Sequence, residues 1–290
     1  MSTGTGTIAA PAGRGGSGEG AALGPDRSGG GTGVTQARVL YSEWIKLRTL
    51  RSTFWTLIGA MVALIGFGML FTAITASRWP HLAPHERATF DPVATSLRGF
   101  FLAQLAVGVL GVLTVSGEYS TGMIRSSLSA VPRRLPVLWA KAAVFAAVVW
   151  ALMTVAALVA FLAGQSLLTS RHVGVSLTDP GVPRAVLGTA LYLTVVGLLG
   201  VAIGALIRNT AGGIATLFGV LMILPVLAEA LPTSWSDHVS QWLPSTAGQS
   251  VFAIHQESHT LAPWPGFVVF CAYAAAALAG AAVLLKRRDA

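Results

Sequence analysis

Few residues in this chain have the types and spacing that metal binding or catalysis requires. His255 and His259 resemble a zinc motif, but zinc proteases place a glutamate directly after the first histidine, and here Glu257 stands one position later. Gly164 and Gly248 each precede Gln-Ser, without the second glycine of a nucleophile elbow. No Gly-Lys pair occurs in the sequence, so the phosphate-binding loop of ATPases is absent. We therefore expect no enzyme activity, no metal and no cofactor in this chain.

The remaining polar chemistry is concentrated in one basic stretch, residues 117–141, between two apolar runs. It contains a single acid and four bases: Glu118, Arg125, Arg133, Arg134 and Lys141. The stretch is longer than a simple connection needs, and Pro132 and Pro136 would end a helix formed by its middle part. Composition alone leaves two interpretations open, a solvated loop that only fixes topology or a docking element for a partner.

The composition indicates an integral membrane protein. Of 290 residues, 53% are hydrophobic and only 10% are charged, and the mean hydropathy is +0.68. Soluble domains carry about 25% charged residues. The net charge of +8 could indicate nucleic-acid binding, but the bases form short clusters beside apolar runs, without a recognisable nucleic-acid module. Cys271 is the only cysteine, which excludes an intramolecular disulfide.

Six apolar runs are each long enough to cross a bilayer as a helix, because a span needs about 20 residues. The predicted spans are 54–77, 99–116, 139–166, 185–207, 210–229 and 265–285. Only Arg208 and Asn209 separate the fourth span from the fifth, which predicts a tight helical hairpin. The predicted fold class is an all-α integral membrane protein with six transmembrane helices.

Two segments of different composition precede the first span. Residues 1–33 are rich in Gly, Ser and Thr and cannot bury enough apolar surface to order, so we predict a disordered tail. This tail has no apolar core of a signal peptide. Residues 34–52 place Leu40, Trp44 and Leu47 on one side of a helix. That pattern predicts an amphipathic helix at the membrane interface, and the alternative is an extension of the first span.

Lysine and arginine are distributed unevenly on the two sides of the predicted spans. Most lie in the N-terminal segment, the second and fourth connections and the C-terminus. The other side has fewer: Arg78, Arg87, Arg98, Arg171 and Arg184. The positive-inside rule therefore predicts that both termini and residues 117–141 are cytoplasmic.

The longest predicted outer connection, residues 231–265, is rich in tryptophan and proline. Its composition suits the membrane interface, and residues 245–255 could form a short helix that dips into the bilayer. Glu229 precedes this connection at the outer end of the fifth span. Its carboxylate is either solvated at the interface or lines a path through the membrane.

Two motifs resemble those of the ABC-2 type permeases of actinobacterial transporters. Residues 42–55, SEWIKLRTLRSTFW, are similar to the S-E-W/L-x-K-L-R-T-x-R-S-T-x-W pattern with which those proteins commonly open. Residues 117–125, GEYSTGMIR, followed by VPRR at 131–134 and by Lys141, resemble the family's E-x-x-x-G-T/M…P-x-R…K stretch. The Arg-Arg-Asp sequence at 287–289 also fits, so the resemblance extends over nearly the whole chain after the tail.

The resemblance implies a six-helix permease domain over residues 34–289, in the plasma membrane and with both termini cytoplasmic. It implies the transmembrane subunit of an ATP-binding cassette transporter, and the family consists mainly of exporters. The implied partners are two copies of an ABC ATPase subunit, which hold the ATP and Mg²⁺, and a second permease copy or homologue. Residues 37–51 would match the family's elbow helix, and 231–265 its re-entrant outer helices.

The resemblance also assigns roles to individual residues. The loop 117–134 would couple to the ATPase, with a coupling helix at about 120–128. The implied coupling residues are Glu118, Tyr119, Thr121, Gly122, Met123, Ile124, Arg125 and Leu128. The basic and aromatic residues beside the spans are expected to anchor the chain at the membrane surface: Trp44, Lys46, Arg48, Arg51, Arg133, Arg134 and Lys141.

A membrane scaffold or sensor subunit without a translocation path is the alternative function. An intramembrane enzyme is disfavoured, because no paired nucleophile and base are recognisable. An ABC ATPase encoded beside this gene would favour the permease over the scaffold.

Overall fold

The computed structural model describes residues 36–120, 134–255 and 260–287. These residues are largely helical, and no β-strand occurs among them. The predicted disordered tail and the central part of the predicted coupling loop, residues 121–133, lie outside the described residues. So do residues 256–259, which include most of the zinc-like motif.

Among the described residues, six helices are long and apolar enough to cross a membrane, as the sequence predicts. They are Arg51–His81, Phe100–Tyr119, Leu135–Thr169, Val182–Ile207, Thr210–Glu229 and Pro263–Arg287. The third begins about four residues before the predicted boundary at 139. Pro136 falls in its first turn, where a missing backbone N–H breaks no helical hydrogen bond, so the helix continues toward the loop.

The first half of the described chain forms six α-helices. They are α1 (Gln36–Thr49), α2 (Arg51–Arg78), α3 (Pro84–Ala88), α4 (Pro92–Leu97), α5 (Phe100–Ser120) and α6 (Arg134–Thr169). Leu50 is extended between α1 and α2, which separates α1 from the first span. The Asp91 side chain caps α4 by accepting hydrogen bonds from the backbone N–H groups of Val93 and Ala94.

The second half contributes α7 (Val182–Ile207), α8 (Thr210–Phe218), α9 (Leu224–Glu229), α10 (Thr233–Val239), α11 (Pro244–Gln249) and α12 (Pro263–Arg287). A π-helical turn, Gly219–Ile223, joins α8 to α9. The predicted short helix near 245–255 is α11, which lies slightly earlier in the chain. Arg184 holds the following segment by donating hydrogen bonds to the carbonyls of Val251 at 2.7 Å and Ala253 at 2.9 Å.

The helix α7 forms the centre of the bundle and is buried along most of its length. Glycines bring α5 and α7 close together, because a Cβ at Gly111 would collide with the backbone of Gly197. A Cβ at Gly200 would likewise meet the backbone of Gly108. The backbones of α5 and α7 therefore pack directly against each other, without side chains between them.

The predicted tight hairpin between the fourth and fifth spans is confirmed. Arg208 ends α7 in the left-handed conformation, with φ of 56°, and reverses the chain. The Asn209 side chain then caps α8 by accepting a hydrogen bond of 2.8 Å from the backbone N–H of Gly212. The Arg208 guanidinium lies 5.0 Å from the centre of the Tyr119 ring, which joins the hairpin to the end of α5.

Candidate functional site: a buried charge cluster at the loop end of the bundle

Four charged residues from three helices meet where the chain leaves α5 and returns in α6; we call this end of the bundle the loop end. Glu43 and Lys46 are three residues apart on α1 and therefore share a face of that helix. Glu118 lies in the last turn of α5, and Lys141 lies about two turns into α6. These four residues are the charge cluster.

Lys141 is the centre of the charge cluster. Its Nζ donates hydrogen bonds to Glu43 Oε2 at 2.7 Å and to Glu118 Oε1 at 2.8 Å. Lys46 Nζ donates to Glu43 Oε1 at 2.8 Å and makes a longer contact of 3.4 Å with Glu118 Oε1. Each lysine therefore contacts both glutamates, and the contacts join α1, α5 and α6.

The cluster is largely removed from solvent. Glu43, Lys141 and Glu118 are only 3%, 5% and 8% exposed, whereas the Lys46 side chain is 29% exposed at the edge. Two carboxylates and two ammonium groups balance formally. Buried ions need such partners, because removing one member of a buried pair costs about 3–5 kcal/mol of stability.

The two α1 residues of the cluster show how pairing outweighs burial. Burial by itself raises the pKa of Glu43, but attraction and hydrogen bonds from Lys141 and Lys46 are together stronger and hold that pKa below its ordinary value. Burial lowers the pKa of Lys46, but its contacts with Glu43 and Glu118 produce a net increase in that pKa. Both residues are therefore charged at neutral pH.

A cavity of about 360 Å³ lies beside the charge cluster, between α1, α2 and α5. All four cluster residues line it, and most of the other described lining residues are leucines and threonines. Glu118 Oε2 is buried and has no hydrogen-bond partner among the described residues. A buried acceptor without a donor is uncommon in folded proteins.

The structure describes only two of the predicted coupling residues. Glu118 points into the charge cluster, and Tyr119 is half-buried against the core and under Arg208. The remaining coupling residues lie outside the described residues: Thr121, Gly122, Met123, Ile124, Arg125 and Leu128. The predicted coupling role of those six residues stays a prediction.

The predicted membrane-surface anchors fall into two groups. Trp44, Arg48 and Arg51 are exposed, as a surface role requires. Lys46 is half-buried and Lys141 is buried, and both point into the charge cluster, so their positions differ from the headgroup anchors that the sequence indicates. Arg133 and the side chain of Arg134 lie outside the described residues.

Sequence reasoning missed Glu43 as a cluster residue, although two signals pointed to it. Lys141 stands among apolar residues at the start of a span, and a lysine in that setting needs a carboxylate partner. Residues 34–52 and 117–141 each contain one acid, so Glu43 and Glu118 were the available partners.

The other polar residues considered in the sequence take part in packing or hydrogen bonding, or are exposed to solvent. Gln165, which follows Gly164, binds Ser96 and the backbone of Val175, and a Cβ at Gly248 would collide with Phe270. Glu229 is exposed at the end of α9, which suits a solvated carboxylate. Within 36–120, 134–255 and 260–287, no group of three or more His, Cys, Asp or Glu residues could hold a metal ion.

Comparison with models of protein families and with curated proteins finds no match for this chain. The resemblance to ABC-2 type permeases therefore stays an expectation from the two sequence motifs. The functional argument depends on those motifs together with the position of the charge cluster.

Proposed function

We propose that this chain is the transmembrane permease subunit of an ATP-binding cassette exporter in the plasma membrane. It pairs with a second permease, identical or homologous, and the translocation path lies between them. Two ATPase subunits hold the ATP and Mg²⁺ and dock on the loop 117–134. The motifs at 42–55 and 117–141 support the proposal, and the geometry of the charge cluster is the observation that carries it.

The charge cluster joins the two ends of the proposed coupling loop. Lys141 on α6 binds Glu118 on α5 at 2.8 Å, so the helices before and after the loop are connected at its base. Lys141 also binds Glu43 on α1 at 2.7 Å. A partner that pushes on the loop would therefore act on three helices together, which is the mechanical property that coupling requires.

Close packing would carry such a displacement into the bundle. Both α5 and α6 pack against the central α7, and the glycine contact between α5 and α7 lets the helix backbones touch. Tightly packed interiors transmit displacement because they contain few voids to absorb it. In this mechanism, ATP-driven closure of the ATPases moves α5, α6 and α7 as one unit, and the two permeases rock against each other.

The helix α1 suits a position on the cytoplasmic membrane surface. Tyr41, Trp44 and Ile45 are exposed, while Glu43 points into the cluster. Exposed aromatic residues favour the interface between lipid and water, and arginines such as Arg48 attract anionic headgroups. The charge cluster then fixes the helix to α6, so that α1 follows the movement of the loop.

The distribution of Lys and Arg supports the same orientation. The positive-inside rule favours cytoplasmic termini, and it then puts the loop end of the bundle on the cytoplasmic side. A soluble ATPase reaches the loop 117–134 only from that side. The six apolar helices agree with a multi-pass membrane protein.

An insertion in the loop tests the proposal. Two alanines inserted after Gly122 would shift the docking residues without touching the described helices. We expect co-purification with the proposed ABC ATPase partner to fall strongly, and ATP hydrolysis by the reconstituted complex to fall with it. The control inserts two alanines after Thr178, in the connection between α6 and α7 at the opposite end of the bundle.

The outcomes separate the competing functions. If the wild-type chain assembles with the ATPase and the insertion after Gly122 changes neither binding nor hydrolysis, the coupling role is wrong. If the folded wild-type chain never associates with that ATPase, the permease proposal fails and a scaffold or sensor subunit is the remaining function.

A further inference from the structure

Arg208 occupies a backbone position that favours glycine. It follows the last residue of α7 with φ of 56° and ψ of 16°, in the left-handed region. That conformation brings the Cβ of an L residue close to the following carbonyl oxygen, so glycine is the usual residue at such a helix end. Among the described residues, only His172 and Arg208 combine a side chain with a positive φ. An arginine at this position indicates a side-chain contact that offsets the unfavourable backbone.

That contact is made with the end of α5. The Arg208 guanidinium lies over the Tyr119 ring, 5.0 Å from its centre, which is within the distance of a cation–π interaction. Tyr119 is the second-to-last residue of α5 and is half-buried. A glycine at position 208 would fit the backbone better, but it would leave the Tyr119 ring without the guanidinium.

The hairpin between α7 and α8 contacts the end of α5 at further points. Thr210 Oγ1 donates a hydrogen bond of 2.9 Å to Ser116 Oγ. A Cβ at Gly204 would lie 2.7 Å from the carbonyl oxygen of Val112. Val112 and Tyr119 are seven residues apart, which is about two turns of helix. The hairpin therefore follows α5 over its last two turns.

The last turn of α5 is thus held from two sides. Glu118 and Tyr119 are consecutive and project about 100° apart around the helix. Glu118 binds Lys141 on α6 at 2.8 Å, whereas Tyr119 lies under Arg208 of the hairpin. Helix ends fray because their last carbonyls have no partner within the helix, so side-chain contacts of this kind fix the last turn. The proposed coupling loop 117–134 begins in this turn.

We propose that Arg208 is a positioning residue for ATPase docking, because it fixes Tyr119 and with it the direction in which the loop 117–134 leaves α5. The inference rests on the proposed function, in which this loop docks on an ATPase. It adds the hairpin of α7 and α8 to the elements that control docking. The hairpin lies outside both sequence motifs, 42–55 and 117–141.

The variant Arg208→Gly separates a positioning role from a structural one. Glycine adopts the left-handed backbone readily, so relief of the backbone opposes the loss of the cation–π contact. We expect the melting temperature in nanodiscs to stay within about 4 °C of the wild-type value. His172→Gly is the matched control, because His172 has φ of 59° and is exposed in the connection between α6 and α7.

The test measures the affinity of the full-length chain in nanodiscs for the ABC ATPase that co-purifies with the wild-type chain. We expect Arg208→Gly to weaken that binding about 3- to 10-fold, and His172→Gly to leave it within about twofold. Arg208→Lys retains a cation without the planar guanidinium, so its affinity should lie between those of the wild-type chain and Arg208→Gly.

A double-mutant cycle identifies the contact through which Arg208 acts. Tyr119→Leu removes the aromatic ring and leaves the backbone of the hairpin unchanged. If Arg208 acts through the ring, the double variant Arg208→Gly/Tyr119→Leu binds the ATPase about as well as the weaker of its two single variants. Losses that multiply in the double variant would show that Arg208 does not act through Tyr119, and would overturn the proposal.

The remaining outcomes separate this proposal from the proposed function. If the ATPase binds the wild-type chain and Arg208→Gly equally, the positioning role is wrong and the coupling loop stands. If Arg208→Gly lowers the melting temperature in proportion to its loss of binding, the role of Arg208 is structural and the proposal is overturned. If no ABC ATPase co-purifies with the wild-type chain, the proposed function fails and the positioning role fails with it.

Discussion

Lys141 Nζ lies 2.7 Å from Glu43 Oε2, and this hydrogen bond joins residues that are 98 positions apart in the sequence. The same ammonium group binds Glu118, so one buried lysine holds α1, α5 and α6 together. The proposed coupling loop leaves α5 and returns in α6 beside this contact. The charge cluster therefore connects the helices from which the proposed coupling loop begins and in which it ends.

The first prediction concerns the central lysine. Among the described residues, Lys141→Met leaves only Lys46 to balance the buried Glu43 and Glu118, so the free energy of unfolding should fall by about 3–5 kcal/mol. The double variant Glu43→Gln/Lys141→Met keeps Lys46 and Glu118 in balance and should lose less than the sum of its single variants. Unfolding in mixed micelles measures both. Lys286→Met, at an exposed position, should change stability by no more than about 0.5 kcal/mol. If Lys141→Met changes the free energy of unfolding no more than Lys286→Met does, the charge cluster does not stabilise the fold.

The second prediction concerns pH. The pKa of Glu43 is below its ordinary value of 4.5 in the folded chain. Its stabilising contribution is therefore complete above pH 4.5 and is lost as the pH falls through the lower, folded-state pKa. The pKa of Lys46 is above its ordinary value of 10.5, so its contribution is complete below that pH and is lost as the pH rises through the folded-state pKa.

Melting temperatures of the wild-type chain and of Glu43→Gln, measured in nanodiscs from pH 3 to pH 7, test the acidic side. We expect the difference between them to be constant from neutral pH to about 4.5 and to shrink below it. A difference that grows as the pH falls would show that the folded-state pKa of Glu43 is raised instead.

The third prediction concerns the hairpin between α7 and α8. Asn209→Ala removes the side chain that accepts a hydrogen bond from the backbone N–H of Gly212, and it should cost about 1 kcal/mol of stability. Asn209→Asp retains a capping oxygen and is the matched control. Unfolding in mixed micelles measures the stability of both variants. If Asn209→Asp loses as much stability as Asn209→Ala, the capping oxygen does not stabilise the hairpin.

The fourth prediction concerns the close contact of α5 and α7. Gly111→Leu forces a side chain against the backbone of Gly197 and should destabilise the fold by about 1–3 kcal/mol or more. Gly66→Leu adds the same side chain in open space and should have a much smaller effect. Thermal unfolding followed by gel filtration compares them. A Gly111→Leu chain as stable as the control would mean that α5 and α7 can separate easily.

The sequence predicted the spans because hydropathy over about 20 residues is a local property. The hairpin followed from the same local pattern, since Arg208 and Asn209 alone interrupt two apolar runs. The third apolar helix begins at Leu135, about four residues before the predicted boundary at 139, and Pro136 fits its first turn because a proline there breaks no helical hydrogen bond.

The charge cluster was not predicted because its contacts are distant in sequence. On α1, Glu43 is one of the charges that are not cleanly segregated from the apolar residues, so the amphipathic pattern is moderate. The structure gives the reason for Glu43, which is buried against Lys141 while Trp44 is exposed. Lys141 was grouped with the basic residues before it, and only the fold shows that its partners are the two glutamates.

The central claim is that the loop 117–134 contacts the ATPase, and site-directed photocrosslinking tests it most directly. A photoreactive amino acid is placed at Ser126 in the loop, or at Ser176 in the connection between α6 and α7, and each variant is co-expressed with the proposed ATPase partner. The account predicts a crosslinked product with the summed mass of permease and ATPase from position 126 and none from position 176. If the complex assembles and position 126 gives no such product, or position 176 gives as much, the account is contradicted.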